Sequence, residues 1–291
     1  RVLLQQDDTD GDGKPDLTVR FDPETEQPIE QIADSDGDGK PNRITRLEAG
    51  VPREVQEDSN GTGCLDRKQI FDADRQLVQD ESDTNGDCVS DTFVYFEGGK
   101  VSRREIDTNK NKVVDLWEYY DGDRKIVQAE ARGRCSRPNI AFFFGADGQT
   151  IEVQEEDQNC NGSPDRRTEL DAAGAPTAQC TPTTRATFAS NAPVVELEDS
   201  NKDKFADRRQ VYEGGALARI DADTNADRRP DVWVTYANGN PALQYEDTDF
   251  DGAPDQAFDL TTEEPIALGG QGGNLPADPF EQISCSRFSE Y

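Results

Sequence analysis

The chain has 291 residues, of which only 33% are hydrophobic and 32% are charged, so a large conventional core is not expected. Its 61 acidic residues outnumber 31 basic ones, giving a formal net charge of −30, and histidine is absent. This balance argues against a nucleic-acid partner, favours cations and excludes imidazole-dependent catalysis. Because no apolar run reaches the roughly 18 residues of a membrane span and no leader opens the chain, we expect a mature soluble protein without its export signal.

An acidic nine-residue segment, first seen as Asp8-Thr-Asp-Gly-Asp-Gly-Lys-Pro-Asp16, recurs in one register. Where the segments are consecutive, they begin 24 to 26 residues apart. Positions 1, 3, 5 and 9 of the nine segments comprise 36 residues, of which 26 are Asp and nine are Asn. We call these segments acidic loops 1 to 9, and they span 8–16, 34–42, 58–66, 83–91, 107–115, 157–165, 199–207, 223–231 and 247–255. With two degenerate units, near 131–139 and around Cys180, residues 1–260 form an array of about eleven repeats.

Between acidic loops the sequence predicts two strands and a turn. Segments such as Leu17–Phe21 and Val232–Tyr236 favour strands, and turns such as 97–100 follow them. A large apolar residue lies thirteen residues after each loop begins, as at Phe21 and Tyr212, which predicts that every unit buries the same point. We predict an all-β fold of tandem hairpins, arranged as an antiparallel meander in an elongated twisted sheet or solenoid. The alternative is a sheet closed into a barrel or propeller.

Alternating carboxylates in a tight loop direct several oxygens towards one point and repel one another unless a cation neutralises them. Calcium accepts roughly six to eight oxygen ligands in flexible geometry and tolerates Asn in place of Asp. We therefore expect Ca²⁺ at about nine sites or more in the acidic loops, with either one or two ions in each loop.

The loops also resemble a known kind of calcium site. The pattern Asp8-x-Asp-x-Asp-Gly-x-x-Asp16 is similar to the EF-hand calcium loop and, more closely, to the type 3 repeats of thrombospondin and related bacterial surface or secreted proteins. The resemblance covers about nine residues of each unit and lacks the bidentate Glu of the EF-hand, in whose place Val19 stands. It implies that positions 1, 3, 5 and 9 supply side-chain ligands and that position 7 supplies a backbone carbonyl.

The metal-ligating side chains predicted in this way are Asp8, Asp10, Asp12, Asp16, Asp34, Asp36, Asp38, Asn42, Asp58, Asn60, Asp66, Asp83, Asn85, Asp87, Asp91, Asp107, Asn109, Asn111, Asp115, Asp157, Asn159, Asn161, Asp165, Asp199, Asn201, Asp203, Asp207, Asp223, Asn225, Asp227, Asp231, Asp247, Asp249, Asp251 and Asp255. Loops 3, 5 and 6 have only two Asp each, so we expect them to bind more weakly.

Six cysteines lie mostly in the loops and in the degenerate units. Because neighbouring loops of a meander share one edge, we predict the disulfides Cys64–Cys88 and Cys135–Cys160, which leaves Cys180 for Cys285 by elimination. The alternative is buried free thiols. A zinc site is not expected, since there is neither a C-x-x-C pair nor a histidine. Disulfides and calcium loops together favour an extracellular or cell-surface location.

Two stretches depart from the repeat. The array is irregular near 172–182, where we expect a shortened strand or hairpin and a bend or a break between two sub-arrays. Residues 261–291 leave the pattern and are predicted to form a linker followed by a cap or an assembly tail.

We expect no enzymatic activity, because no catalytic motif is present and the carboxylates recur in register. Sugar binding or two-carboxylate hydrolysis is a weaker alternative. The predicted function is that of an extracellular calcium-binding structural protein: a rigid spacer, adhesin stalk or matrix component. The alternative is a subunit of an extracellular filament that exchanges a strand or tail, using an open edge at 1–6. The expected partners are calcium and either copies of the chain or a surface or matrix partner.

Overall fold

The computed structural model describes residues 3–268 and 275–283. These residues form 23 strands and no helix, so none of them belongs to a helix long and apolar enough to cross a membrane. The predicted all-β class is confirmed. The chain divides into two compact units. The first unit holds the described residues up to Pro138 together with 146–149, and the second holds 139–145 and the described residues from Thr150 onward.

The described part of the first unit contains β1 (Leu4–Asp7), β2 (Leu17–Phe21), β3 (Pro28–Ala33), β4 (Arg43–Glu48), β5 (Val51–Glu57), β6 (Arg67–Phe71), β7 (Leu77–Ser82), β8 (Thr92–Glu97), β9 (Lys100–Ile106), β10 (Leu116–Asp121) and β11 (Arg124–Glu130). Each strand pairs antiparallel with the next one along the chain. In this part of the chain β1 pairs with β2 alone, so the meander is open and is not closed into a barrel.

The described part of the second unit contains β12 (Ile140–Phe144), β13 (Ile151–Glu156), β14 (Arg166–Leu170), β15 (Pro176–Cys180), β16 (Thr184–Ala189), β17 (Ala192–Glu198), β18 (Arg208–Glu213), β19 (Ala216–Ala222), β20 (Val232–Ala237), β21 (Asn240–Glu246), β22 (Gln256–Asp259) and β23 (Glu264–Pro265). These strands also form an antiparallel meander. Between the described residues of β23 and β12 there is no pairing, so this meander is open as well.

Acidic loops and hairpin turns alternate in both units, which places them at opposite edges of each sheet. Loop 1 joins β1 to β2, for example, whereas a hairpin turn joins β2 to β3. Successive acidic loops therefore lie side by side. Lys14 Nζ donates to the Gly37 carbonyl of the next loop at 3.1 Å, and Lys110 Nζ of loop 5 lies 2.9 Å from Asp91 Oδ1 of loop 4.

The apolar residue thirteen positions after the start of a repeat unit marks a β-bulge in ten hairpins, whereas Leu260, which follows loop 9, lies outside the strands. The strand register shifts at this residue in ten hairpins, at Phe21, Leu47, Phe71, Phe96, Tyr120, Phe144, Leu170, Phe188, Tyr212 and Tyr236. All ten side chains are half-buried, so the common point exists in these hairpins but is only partly buried. A bulge bends its strand and increases the local twist, and the recurring residue therefore fixes a twist in each of these hairpins.

In the irregular unit around Cys180, the connection at the loop edge is short, whereas the hairpin turn has its usual length. The turn at 171–175 between β14 and β15 has the same length as that at 72–76 between β6 and β7. The connection from β15 to β16, in contrast, is only Thr181–Thr183, where an acidic loop would hold nine residues. Of the two expected alternatives, the shortened hairpin turn is therefore wrong, and the strand in this region, β15, has five residues. The division into two units lies at 138–150 and not in this region.

The core of the second unit lies on one sheet face, where the C-terminal segment packs. Phe280 and Ile283 are buried against Cys180, Leu197 and Ala206. A second buried cluster contains Trp233, Tyr245 and Ala257, with partly buried Leu243, Ile266, Leu268 and Leu275 packed against it. The Trp233 indole Nε1 donates to the Pro276 carbonyl at 3.1 Å. Residues 275–283 therefore complete the core of the second unit.

Candidate metal-binding loops

Each acidic loop turns through two left-handed backbone positions, positions 4 and 6. In loop 1 these are Gly11 and Gly13, with φ of 79° and 90°. Loop 7 holds the same conformation without glycine, because Lys202 and Lys204 have φ of 64° and 78°. Such backbone is strained for side chains other than glycine, so something other than local preference holds those loops in shape.

Hydrogen bonds from the backbone to the acidic side chains supply part of that restraint. In loop 1 the Gly11 and Gly13 amides donate to Asp8 at 2.8 and 3.0 Å, and the Asp12 amide donates to Asp10 at 3.0 Å. The bond from the position 6 amide to the position 1 carboxylate occurs in all nine loops. The position 1 side chain therefore fixes the backbone of its loop through these hydrogen bonds.

Position 9 closes each loop through position 2. The position 2 amide donates to the position 9 side chain in all nine loops. In eight of them position 2 is Ser or Thr and its hydroxyl also bonds to position 9. The sequence reasoning missed these residues, although the recurrence of Ser or Thr at position 2 was a visible signal. Hydrogen bonds from the Thr9 hydroxyl and amide outweigh desolvation and lower the pKa of Asp16.

Burial separates the acidic positions into two kinds. The side chains of Asp107, Asp199 and Asp247 at position 1, and of Asp91 and Asp231 at position 9, are buried. Positions 3 and 5 are exposed in loop 9, for example, at Asp249 and Asp251. In several loops positions 1 and 9 are therefore buried parts of the loop. Positions 3 and 5 also accept hydrogen bonds from backbone amides, as Asp10 and Asp12 do in loop 1, but in loop 9 their carboxylates are open to solvent.

Four loops bring three carboxylates together, with one oxygen of each residue within 4.8 Å of the others. These triads are Asp8, Asp10 and Asp16; Asp34, Asp36 and Asp38; Asp223, Asp227 and Asp231; and Asp247, Asp249 and Asp251. The spacing and the all-oxygen donor set suit a hard divalent cation such as calcium. Asn42, Asp12, Asn225 and Asp255 are the remaining predicted ligands in these loops.

The other five loops show no such triad within the described residues. Loops 3, 5 and 6 contain two Asp each, so they cannot supply three carboxylates from their own predicted positions. In loop 4 a neighbouring lysine contacts a predicted ligand, since Lys110 Nζ lies 2.9 Å from Asp91 Oδ1. Burial of Asp91 disfavours its ionisation, but hydrogen bonds from Lys110 and Thr84 outweigh burial and lower its pKa to about 2.

The carboxylates of loop 9 repel one another. A hydrogen bond from the Asp251 amide stabilises ionised Asp249, but the negative charge of Asp251, desolvation and the charges of Asp255 and Asp247 together raise the pKa of Asp249. A cation among these oxygens would remove the repulsion, and its charge would dominate the local electrostatics.

One predicted disulfide is confirmed: Cys64 of loop 3 is bonded to Cys88 of loop 4, with the two Cα atoms 5.5 Å apart. Cys135, Cys160 and Cys180 are disulfide-bonded as well, and none of the described cysteines is a free thiol. Cys285, the partner predicted for Cys180, lies outside the described residues. Such disulfides are typical of proteins that mature in an oxidising environment.

No protein-family model matches the chain, and no curated protein matches it either. Among solved structures, a TarM mutant from S. aureus in complex with fondaparinux, alpha-GlcNAc-glycerol and UDP shares 10% identity at a TM-score of 0.19, covering 52% of this chain and 21% of that one. TcdB2-TccC3 shares 11% identity at a TM-score of 0.20, covering 79% and 14%. The Photorhabdus luminescens Tc holotoxin pore shares 12% identity at a TM-score of 0.19, covering 84% and 14%. The chain thus spans at most about a fifth of these proteins, and likenesses at such TM-scores carry no argument about function.

Proposed function

We propose that this chain is an extracellular calcium-binding structural protein, a stiff spacer or adhesin stalk, in which cations bound along the loop edge of each sheet stabilise the fold. The observation that carries the proposal is the set of four carboxylate triads, each within one acidic loop and each including position 1, with one oxygen of each residue within 4.8 Å of the others. The recurrence of one loop geometry in nine loops supports a structural role, because a catalytic centre is built once and not nine times.

The thin core also supports a stabilising role for the metal. The first unit buries only Val19, Val55 and Ala129 among its described hydrophobic side chains. Binding of an ion to the folded state alone adds to the free energy of unfolding in proportion to the logarithm of its concentration. Disulfide-bonded cysteines support an extracellular location, where calcium is abundant enough for loops of modest affinity.

The filament alternative is less well supported. Exchange of the tail between molecules needs that segment to be released, whereas Phe280 and Ile283 are buried within the second unit. The stalk or spacer needs no such rearrangement.

Calorimetric titration of calcium into chelator-treated protein tests the proposal. We expect several ions to bind, and we expect the double variant Asp249→Asn and Asp251→Asn to bind one ion fewer with an unchanged fold, since both side chains are exposed. The matched control is Asp121→Asn with Asp123→Asn at a hairpin turn, where the side chains are 70% and 95% exposed. Absence of calcium binding, or equal loss of binding in both double variants, would refute the proposal.

A further inference from the structure

The tail of the second unit occupies a surface built from two adjacent acidic loops and the strand that follows. Three backbone hydrogen bonds hold it to loops 7 and 8: Phe280 N to Arg228 O at 2.7 Å, Ala206 N to Glu281 O at 3.0 Å, and Ile283 N to Lys204 O at 2.9 Å. Phe205 and Gln282 form an antiparallel bridge. The tail therefore makes a short antiparallel, strand-like pairing with the loop backbones.

Side chains anchor the same segment. Trp233, two residues after loop 8, donates its indole hydrogen to the Pro276 carbonyl and is only 1% exposed. The Arg209 guanidinium lies over the Phe280 ring, 5.5 Å from its centroid. The tail is thus anchored by the Pro276 carbonyl, which accepts from Trp233, and by the Phe280 ring, which packs against Arg209 of β18.

The first unit repeats this surface at loops 4 and 5. Trp117 lies two residues after loop 5, as Trp233 lies two residues after loop 8. Trp117 is opposite Glu105 and Ala129 on the neighbouring strands. Trp233 is opposite Asp221 and Tyr245 at the equivalent positions. In loop position, Lys112, Cys88 and Ser90 correspond to Arg228, Lys204 and Ala206. We call Cys88, Val89, Ser90, Lys112, Val113 and Trp117 the Trp117 surface.

Three groups of the Trp117 surface that correspond to tail-binding groups of the second unit have no partner within the described part of the chain. Among the described residues, no protein group accepts a hydrogen bond from the Ser90 amide or the Trp117 indole, and none donates to the Lys112 carbonyl. Val89 corresponds to Phe205, which bridges to the tail, and it is 39% exposed. Val113 beside it is 56% exposed. Exposed valines next to unpaired backbone groups at a strand-like edge favour addition of an extended peptide.

We infer that the Trp117 surface binds an extended peptide segment of a partner protein, in the strand-like conformation that residues 275–283 adopt on the second unit. The peptide presents a carbonyl to the Trp117 indole, as Pro276 does to Trp233. Four residues later it presents an aromatic side chain, as Phe280 does. Phe93 occupies the place of Arg209 in the repeat, so the aromatic side chain of the peptide packs against the Phe93 ring. The chain's own tail is engaged in the second unit, which leaves the surface to another protein.

A labelled synthetic peptide with the sequence of residues 275–283 is the probe, and fluorescence anisotropy of the full chain in calcium-containing buffer is the measurement. We expect saturable binding that Trp117→Ala weakens at least tenfold and that Val113→Glu also weakens. Phe250→Glu is the control, because Phe250 is an exposed apolar residue of loop 9 outside this surface. A peptide with alanine in place of Phe280 should bind at least tenfold more weakly, because it lacks the aromatic ring that packs against the Trp117 surface.

The chain contains two tryptophans, and Trp233 is buried, so an emission change that is lost in Trp117→Ala reports on Trp117. We expect the peptide to change Trp117 emission at the concentrations that change anisotropy. Three results would overturn the inference: no binding by the full chain, equal affinity in Trp117→Ala, or saturable quenching of Trp117 by a glycan with no response to the peptide.

Discussion

Arg209 Nε lies 2.7 Å from Asp221 Oδ2, and the Asp221 side chain is completely buried between Arg209 and Arg219. The Arg219 Nε atom lies 2.6 Å from the other carboxylate oxygen. Asp221 and Arg209 are directly opposite each other on β19 and β18. Arg209, Asp221 and Arg219 thus form a charge cluster on this face of the second unit. A protein with a larger core would have apolar side chains there.

Asp221→Ala should destabilise the protein by about 3 to 5 kcal/mol, because it leaves two arginines at a buried site without their carboxylate. Urea denaturation measures the change in the free energy of unfolding. Asp123→Ala is the control: Asp123 also faces a basic side chain, Lys100, but is 95% exposed, and surface pairs contribute little. Equal stability of the two variants would contradict the assigned role of Asp221.

Replacement of Cys64 and Cys88 by serine should lower the free energy of unfolding by about 3 kcal/mol, since the bond closes a loop of 24 residues. Cys88 also has a left-handed φ of 66° at position 6, so the disulfide restrains a strained part of loop 4. Thermal unfolding of the double variant beside the wild type is the measurement. An unchanged melting temperature would show that the disulfide does not reduce the conformational entropy of the unfolded chain as expected.

Tyr212 should titrate at unusually high pH. Burial, together with the hydrogen bond from its hydroxyl to Glu196 Oε2 at 2.8 Å, raises the pKa of Tyr212 to about 12. A pKa raised in the folded state means that the stabilisation is complete below the unfolded value of about 10 and is lost as the pH rises towards 12. The difference in ultraviolet absorbance between wild type and Tyr212→Phe isolates this transition, and Glu196→Gln should move it to lower pH. A transition at the ordinary tyrosine pKa would refute the assignment.

Calcium should raise the melting temperature, and chelation should lower it. Above the dissociation constant, each tenfold increase in free calcium adds about 1.4 kcal/mol for every site linked to folding. Circular dichroism melts over a calcium series are the measurement, with magnesium at equal ionic strength as the control. A melting temperature that is independent of calcium would show that binding is not linked to folding.

The repeat made much of this fold predictable. Strict spacing located the strands, as at Leu17–Phe21, and neighbouring loops at one edge located the bond between Cys64 and Cys88. The bulge at Phe21 was not predictable, because an apolar residue at a fixed offset indicates burial and register shift equally well. The packing of Phe280 against Leu197 was not predictable either, because residues 275–283 lie outside the repeat and no periodicity assigns them a partner.

In the acidic loops, too, the sequence predicted only part of the arrangement. The register located every carboxylate but could not separate loop-shaping residues, such as buried Asp107, from exposed residues such as Asp249. It also could not show that Lys110 of one loop contacts Asp91 of its neighbour, since that contact depends on the way adjacent loops lie against each other.

The most direct test is a crystal structure of the protein grown with calcium, with anomalous diffraction data collected to locate the metal. We expect anomalous peaks within the four carboxylate triads, including that of Asp247, Asp249 and Asp251, each at about 2.3 to 2.6 Å from its ligand oxygens. Triads without anomalous density at a calcium concentration typical of the extracellular medium would contradict the account.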